Sequence, residues 1–179
     1  MKTIIIFGDE EDRKIYTLLK KYFYNNCIAI NRTELYSADD PEYLIVEKSS
    51  LFDICLKNAI IIFKNNCNIK NINNVPDKFT AVFDSKNKEV KNFLLGRNIH
   101  TVSCGLSTSD TLNISGVELG AAVSLQRELP TLNDEINFPQ DIVVKNIGKL
   151  DKFSIMCICA VILLSDKTDA LNIDLKYYQ

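Results

Sequence analysis

The chain has 179 residues, 46% of them hydrophobic and 25% charged, and a formal net charge of −2. That length supports one domain with a sizeable core, and the near-neutral balance excludes a global field that would draw in nucleic acid or an acidic membrane surface. The six cysteines, Cys27, Cys55, Cys67, Cys104, Cys157 and Cys159, include no C-x-x-C pair, and His100 is the one histidine, so reduced, mostly buried thiols are expected in place of a zinc site.

Thr3–Phe23 reads as a buried strand, a tight turn at Gly8 and an amphipathic helix that turns Ile15, Leu18, Leu19, Tyr22 and Phe23 inward. The run Ile4–Phe7 is followed at once by acids, which is not a signal-peptide pattern. Cys27–Ile30 reads as a second strand and residues 31–42 as a polar loop ending at Pro41. Tyr43–Glu47 is a compact strand, after which Ser49 or Ser50 caps a short helix through Lys57. Ala59–Phe63 is another wholly apolar strand. Such runs without alternation belong to a parallel sheet covered on both faces. The Asn-rich stretch Lys64–Lys78 reads as an exposed loop. Thr80–Phe83 is a strand, Asp84 or Ser85 caps a helix over Lys88–Leu95 that Gly96 ends, and Ile99–Cys104 is the next strand.

After Gly105 the pattern changes. Thr111–Ser115, Ala121–Glu128 and Ile136–Lys145 alternate loosely between turns at Gly116, Pro130–Asp134 and Pro139, as in an antiparallel meander. Leu150–Leu164 is apolar almost all round and reads as a buried helix. Its longest apolar run, Phe153–Leu164, falls short of the ~20 residues of a membrane span. The expected architecture is a single α/β domain over residues 1–165, with a parallel part (1–105), a meander (111–145), a closing helix (150–164) and a polar tail (166–179). Its sheet is Rossmann-like, mostly parallel, with helices on both faces. A cytoplasmic location is expected.

In open α/β folds the turn after the first strand seats an anion against backbone N–H groups and the positive end of a helix. Here that turn carries Asp9, Glu10, Glu11 and Asp12. A phosphate about 4 Å from one carboxylate is repelled by roughly 4 kcal/mol at an effective dielectric near 20. The helix end returns only about 0.3–1 kcal/mol. Repulsion wins, and the acids are expected to cap the helix themselves.

Ala81–Ser115, with its strand, acidic turn, helix and strand ending at Cys104-Gly105-Leu106 before Asp110, resembles the central ATP-binding domain of the Mur ligase family. Val46-Glu47-Lys48-Ser49-Ser50 is similar to that family's glutamate-x-serine-serine strand end. Thr3–Phe23 matches its strand, phosphate loop and first helix in length and hydrophobic phase. The departures are specific. Where the family has Gly-Thr-Asn-Gly-Lys-Thr, this chain has Gly8-Asp9-Glu10-Glu11-Asp12-Arg13, with Asp12 in place of the phosphate-reaching lysine. The family's Asp-His segment has become Lys64-Asn65-Asn66-Cys67. No histidine and asparagine stand near Leu150–Ser154, and the 179 residues hold no counterpart of the family's precursor-binding and ligase domains. The resemblance implies a degenerate, non-catalytic domain for binding or assembly, as a homo-oligomer or with a protein partner, and without a resident cofactor.

Gly8, Glu47, Ser49 and Asp110 remain candidates for cofactor binding. Asp9, Glu10 and Glu47 would suit a hard cation such as Mg²⁺ if they converged. Alternatively, the N-terminal strand, acidic pair and helix also resemble response-regulator receivers, which implies an acidic-pocket or small-ligand regulatory domain. A third reading is an enzyme on a Glu47/Ser109/Asp110 edge, but no nucleophile stands paired with a base. His100, Cys157 and Cys159 read as structural, and the polar turn Ser107–Asp110 needs no ligand to form.

Overall fold

The computed structural model describes residues 1–51, 58–73, 78–117, 120–166, 168 and 171–175, so the helix expected through Lys57 falls outside the described residues. The contacts group the chain into two compact units, Met1–Thr101 and Val102–Gln179.

The first unit holds β1 (Lys2–Phe7), α1 (Lys14–Tyr22), β2 (Cys27–Ile30), β3 (Leu35–Ser37), β4 (Tyr43–Lys48), β5 (Ala59–Phe63), β6 (Phe79–Asp84) and α2 (Lys88–Leu94). Its strands lie in the order β6-β5-β1-β4-β2-β3. Every neighbouring pair is parallel except β2–β3. The apolar runs of β1 and β5 explain this, since every residue of β5 is buried and only a sheet covered on both faces accommodates that. Ile5 and Phe7 pack with Phe63, Phe83, Val90 and Leu94, which places α2 on one face. Ile4 and Ile6 stand in register with Ile45 and Glu47 on the other. There α1 contacts β4, and Phe23 lies against Tyr43 with ring centroids 4.1 Å apart and ring planes tilted by 32°. The strand order departs from the Rossmann sequence 3-2-1-4-5-6, because β4, third of the parallel strands, is inserted between β1 and β2.

Two local expectations are corrected in this unit. The loop 31–42 contains β3, which turns back on β2 with Tyr36 opposite Ala29. Asn87 caps α2 by accepting the Val90 N–H, whereas Asp84 accepts the Lys86 N–H in the turn before it.

In the second unit, which takes in β7 (His100–Gly105) from Val102 onward, β7 pairs with β8 (Leu112–Val117) through Cys104 and Gly105. β8, β9 (Gly120–Leu125) and β12 (Gln140–Lys145) form the antiparallel meander. Gly116 therefore lies inside a strand and not at a turn. β10 (Leu129–Pro130) and β11 (Ile136–Asn137) make a separate two-stranded ladder. The polar tail contributes β13 (Leu171–Asp174), which pairs with β12 at the end of the strand order and buries Ile173. α3 (Lys152–Ser165) packs on β8 and β10, and Asp151 caps it by accepting the Ser154 N–H. At its other end Asn137 donates to the carbonyl oxygens of Leu163 and Asp166 and accepts the Thr168 N–H. Among the described residues no helix is long and apolar enough to cross a membrane.

Candidate functional site

β1, β4 and β5 run parallel, so their C-terminal ends share one edge of the first sheet. The strand order runs outward from β1 in both directions, and open α/β sheets take their ligands beside such a reversal. The ladder continues one step past the strands: Gly8 N–H donates to Lys48 O at 3.0 Å, and Lys64 N–H donates to Phe7 O at 2.9 Å. Gly8 has φ +148°, a conformation that L side chains rarely adopt, and a Cβ there would lie 2.7 Å from Lys64 Cβ. The missing side chain is what lets Lys64 pass across the turn.

Lys64 Nζ donates to Asp9 O at 2.7 Å, to Asp12 O at 2.6 Å and to Glu47 Oε1 at 2.6 Å. An ammonium has three donors, and all three are used. Lys64 is 2% exposed and Glu47 is fully buried. The turn thus aims two carbonyl oxygens at a cation, the reverse of the N–H cradle that seats a phosphate.

Burial pushes the Glu47 carboxyl above its ordinary range, while the Lys64 hydrogen bond and charge, and then Arg13, pull it down without cancelling the effect. Burial and the nearby Glu47 charge raise the Tyr16 hydroxyl to about 12. Glu47 Oε2 and Tyr16 Oη are buried with no hydrogen-bond partner among the described residues. Breaking a buried pair by removing one partner typically costs about 3–5 kcal/mol, because the remaining charge is left uncompensated.

The other sequence candidates take separate local roles. Asp9 accepts the Glu11 N–H, and α1 starts at Lys14 with no side-chain cap. The acids therefore do not cap the helix as expected. Glu10 accepts from both Ser49 N–H, at 2.9 Å, and Ser49 Oγ, at 2.8 Å. Its pKa lies below the ordinary value; burial pushes it up, but the two Ser49 hydrogen bonds and the charges of Lys48 and Arg32 outweigh that. Asp9, Glu10 and Glu47 are thus held by different partners, and among the described residues no His/Cys/Asp/Glu group is arranged to hold a metal ion.

In the second unit, Asp110 accepts the Ser107 N–H at 3.1 Å, and Arg127 donates to the carbonyl oxygens of Ser109 and Asp110. In the first unit, His100 Nδ1 lies 3.4 Å from Thr80 Oγ1, and burial lowers its pKa. Cys27, Cys67, Cys104, Cys157 and Cys159 are buried; Cys55 lies outside the described residues.

Sequence reasoning missed Lys64 as a site residue because it opens an Asn- and Lys-rich stretch that reads as solvated. A signal was present: a lysine directly after an all-apolar strand, and a glutamate at the end of another. No family model matches the chain, and no curated protein matches it.

Proposed function

We propose that this chain is a non-catalytic, Mur-ligase-like α/β domain that works through binding or assembly and holds no triphosphate in its first turn. The observation that supports this is the Lys64 ammonium hydrogen-bonded to Asp9 O, Asp12 O and Glu47 Oε1. An incoming phosphate would meet the negative ends of two peptide dipoles. Displacing Lys64 would strand Glu47, at about 3–5 kcal/mol. A helix terminus returns about 0.3–1 kcal/mol, which does not offset that loss.

Isothermal titration with Mg-ATP tests the reading. The expected result is no binding heat up to about 1 mM nucleotide, and a dissociation constant tighter than about 100 μM would overturn it.

A further inference from the structure

β3 ends the strand order of the first sheet, and among the described residues no strand lies on its outer side. Its inner side is fixed by the hairpin with β2. Asn31 N–H donates to Glu34 O, and Ala38 N–H donates to Cys27 O, both at 3.0 Å. With Tyr36 opposite Ala29, residues 34, 36 and 38 spend their backbone groups on β2. Leu35 and Ser37 therefore direct N–H and C=O outward. Leu35 is 74% exposed, so this edge also presents apolar surface.

We infer that this edge pairs with the same edge of a second copy, antiparallel, with Tyr36 opposite Tyr36 on the twofold axis. Three registers fit the outward groups, centred on Leu35, Tyr36 or Ser37. Only the register centred on Tyr36 sets Leu35 against Ser37 twice and so uses the outward groups of both residues in each copy. The same register brings the hairpin turn of one copy, which carries Arg32, to the bend at the base of the other, which carries Asp40. Centring on Leu35 would instead oppose Arg32 to Ala38, which offers it no charge. Backbone pairing selects the register, and the opposite charges of Arg32 and Asp40 at turn and base complement it.

The side chains suit it. Tyr36 is preorganised by stacking on Tyr24 at 4.6 Å and by its hydroxyl donating to Tyr24 O. Across the axis the two Tyr36 side chains form a close cross-strand pair. On the opposite face the two Leu35 side chains meet diagonally. The patch is small, so the dimer is weak and concentration-dependent. It supplies the assembly reading with a partner, a second copy of this chain. Its test reads mass and the triphosphate test reads heat, so either fails without the other.

Sedimentation equilibrium on the full chain tests the pairing. The mass should rise from 20.3 kDa toward twice that value with concentration. Arg32→Asp and Asp40→Arg should each weaken the dimer about tenfold or more, because each sets like charges against each other at two symmetric places. Mixing the two variants in equal amounts should restore association, since both contacts in the mixed pair become attractive. Circular dichroism matching the wild type shows that each variant is folded. A wild-type monomer up to about 1 mM, single variants that associate like the wild type, or folded variants that stay apart when mixed would each overturn the proposal.

Discussion

Lys64 Nζ and Glu47 Oε1 lie 2.6 Å apart, both side chains closed off from solvent at the C-terminal ends of β5 and β4, the two strands that flank β1 in one parallel sheet. Lys64→Ala should destabilise the protein by about 3–5 kcal/mol, since it leaves a buried carboxylate uncompensated and two carbonyl oxygens without their donor. The double variant Glu47→Leu/Lys64→Met should lose less than Lys64→Ala, because no lone charge remains. Urea unfolding midpoints check both. A double variant that loses as much as Glu47→Leu and Lys64→Met lose singly, added together, would show that the pair is not coupled.

The Glu10 contact with Ser49 sets a pH dependence. The folded-state pKa of Glu10 lies below its ordinary value of 4.5, so the native state binds that proton less readily than the unfolded chain. Its stabilisation is fully present above the ordinary value and is lost as pH falls through the lowered one. The stability difference between wild type and Ser49→Ala should therefore be constant near neutral pH and shrink on acidification. Glu47 carries the opposite sign: its pKa is raised, so its contribution is full below the ordinary value and is lost as pH rises through the raised one. Unfolding curves across the acid range measure the Glu10 effect, and a difference that grows toward low pH would contradict it.

Gly8→Ala should cost about 1–3 kcal/mol, since the new methyl group would stand 2.7 Å from Lys64 Cβ on a backbone at φ +148°. Gly96→Ala serves as the comparison. It also has a positive φ, +76°, but nothing lies within 4 Å of an added Cβ, so it should suffer the backbone strain alone. Thermal unfolding of the two variants separates crowding from strain, and equal losses would remove the role given to Lys64 in the turn.

Asn137→Ala should destabilise the second unit by about 1–3 kcal/mol per buried group left unpaired. Its amide closes the carbonyl end of α3 at Leu163 O and Asp166 O and holds Thr168 N–H. Faster amide hydrogen exchange at Thr168 in the variant checks this, and unchanged exchange would show that the bridge is dispensable.

The elements with strong local patterns were legible in the sequence. β1, β4 and β5 announce themselves as apolar runs, α1 by its helical spacing and α3 by unbroken hydrophobicity from Phe153 to Leu164. β3 was hidden because Thr33, Glu34 and Ser37 carry the polar character of a turn, and its strand state comes from pairing with β2. β13 was hidden in a polar tail, where Ile173 and Leu175 are the buried positions among the described residues. The site was half legible. The turn after β1 drew attention in the sequence through its run of acids, but the group that occupies its centre lies far along the chain, a lysine whose partners are Asp9, Asp12 and Glu47. No local spacing encodes a contact of that range.

The most direct test of the central assignment is the side-chain NMR signal of the Lys64 ammonium, identified by its loss in Lys64→Met. An ammonium with all three protons hydrogen-bonded and buried should give a distinct resonance that exchanges slowly with water, and about 5 mM Mg-ATP should leave it unchanged. A signal that exchanges as fast as those of exposed lysines, or one that triphosphate displaces, would contradict the account.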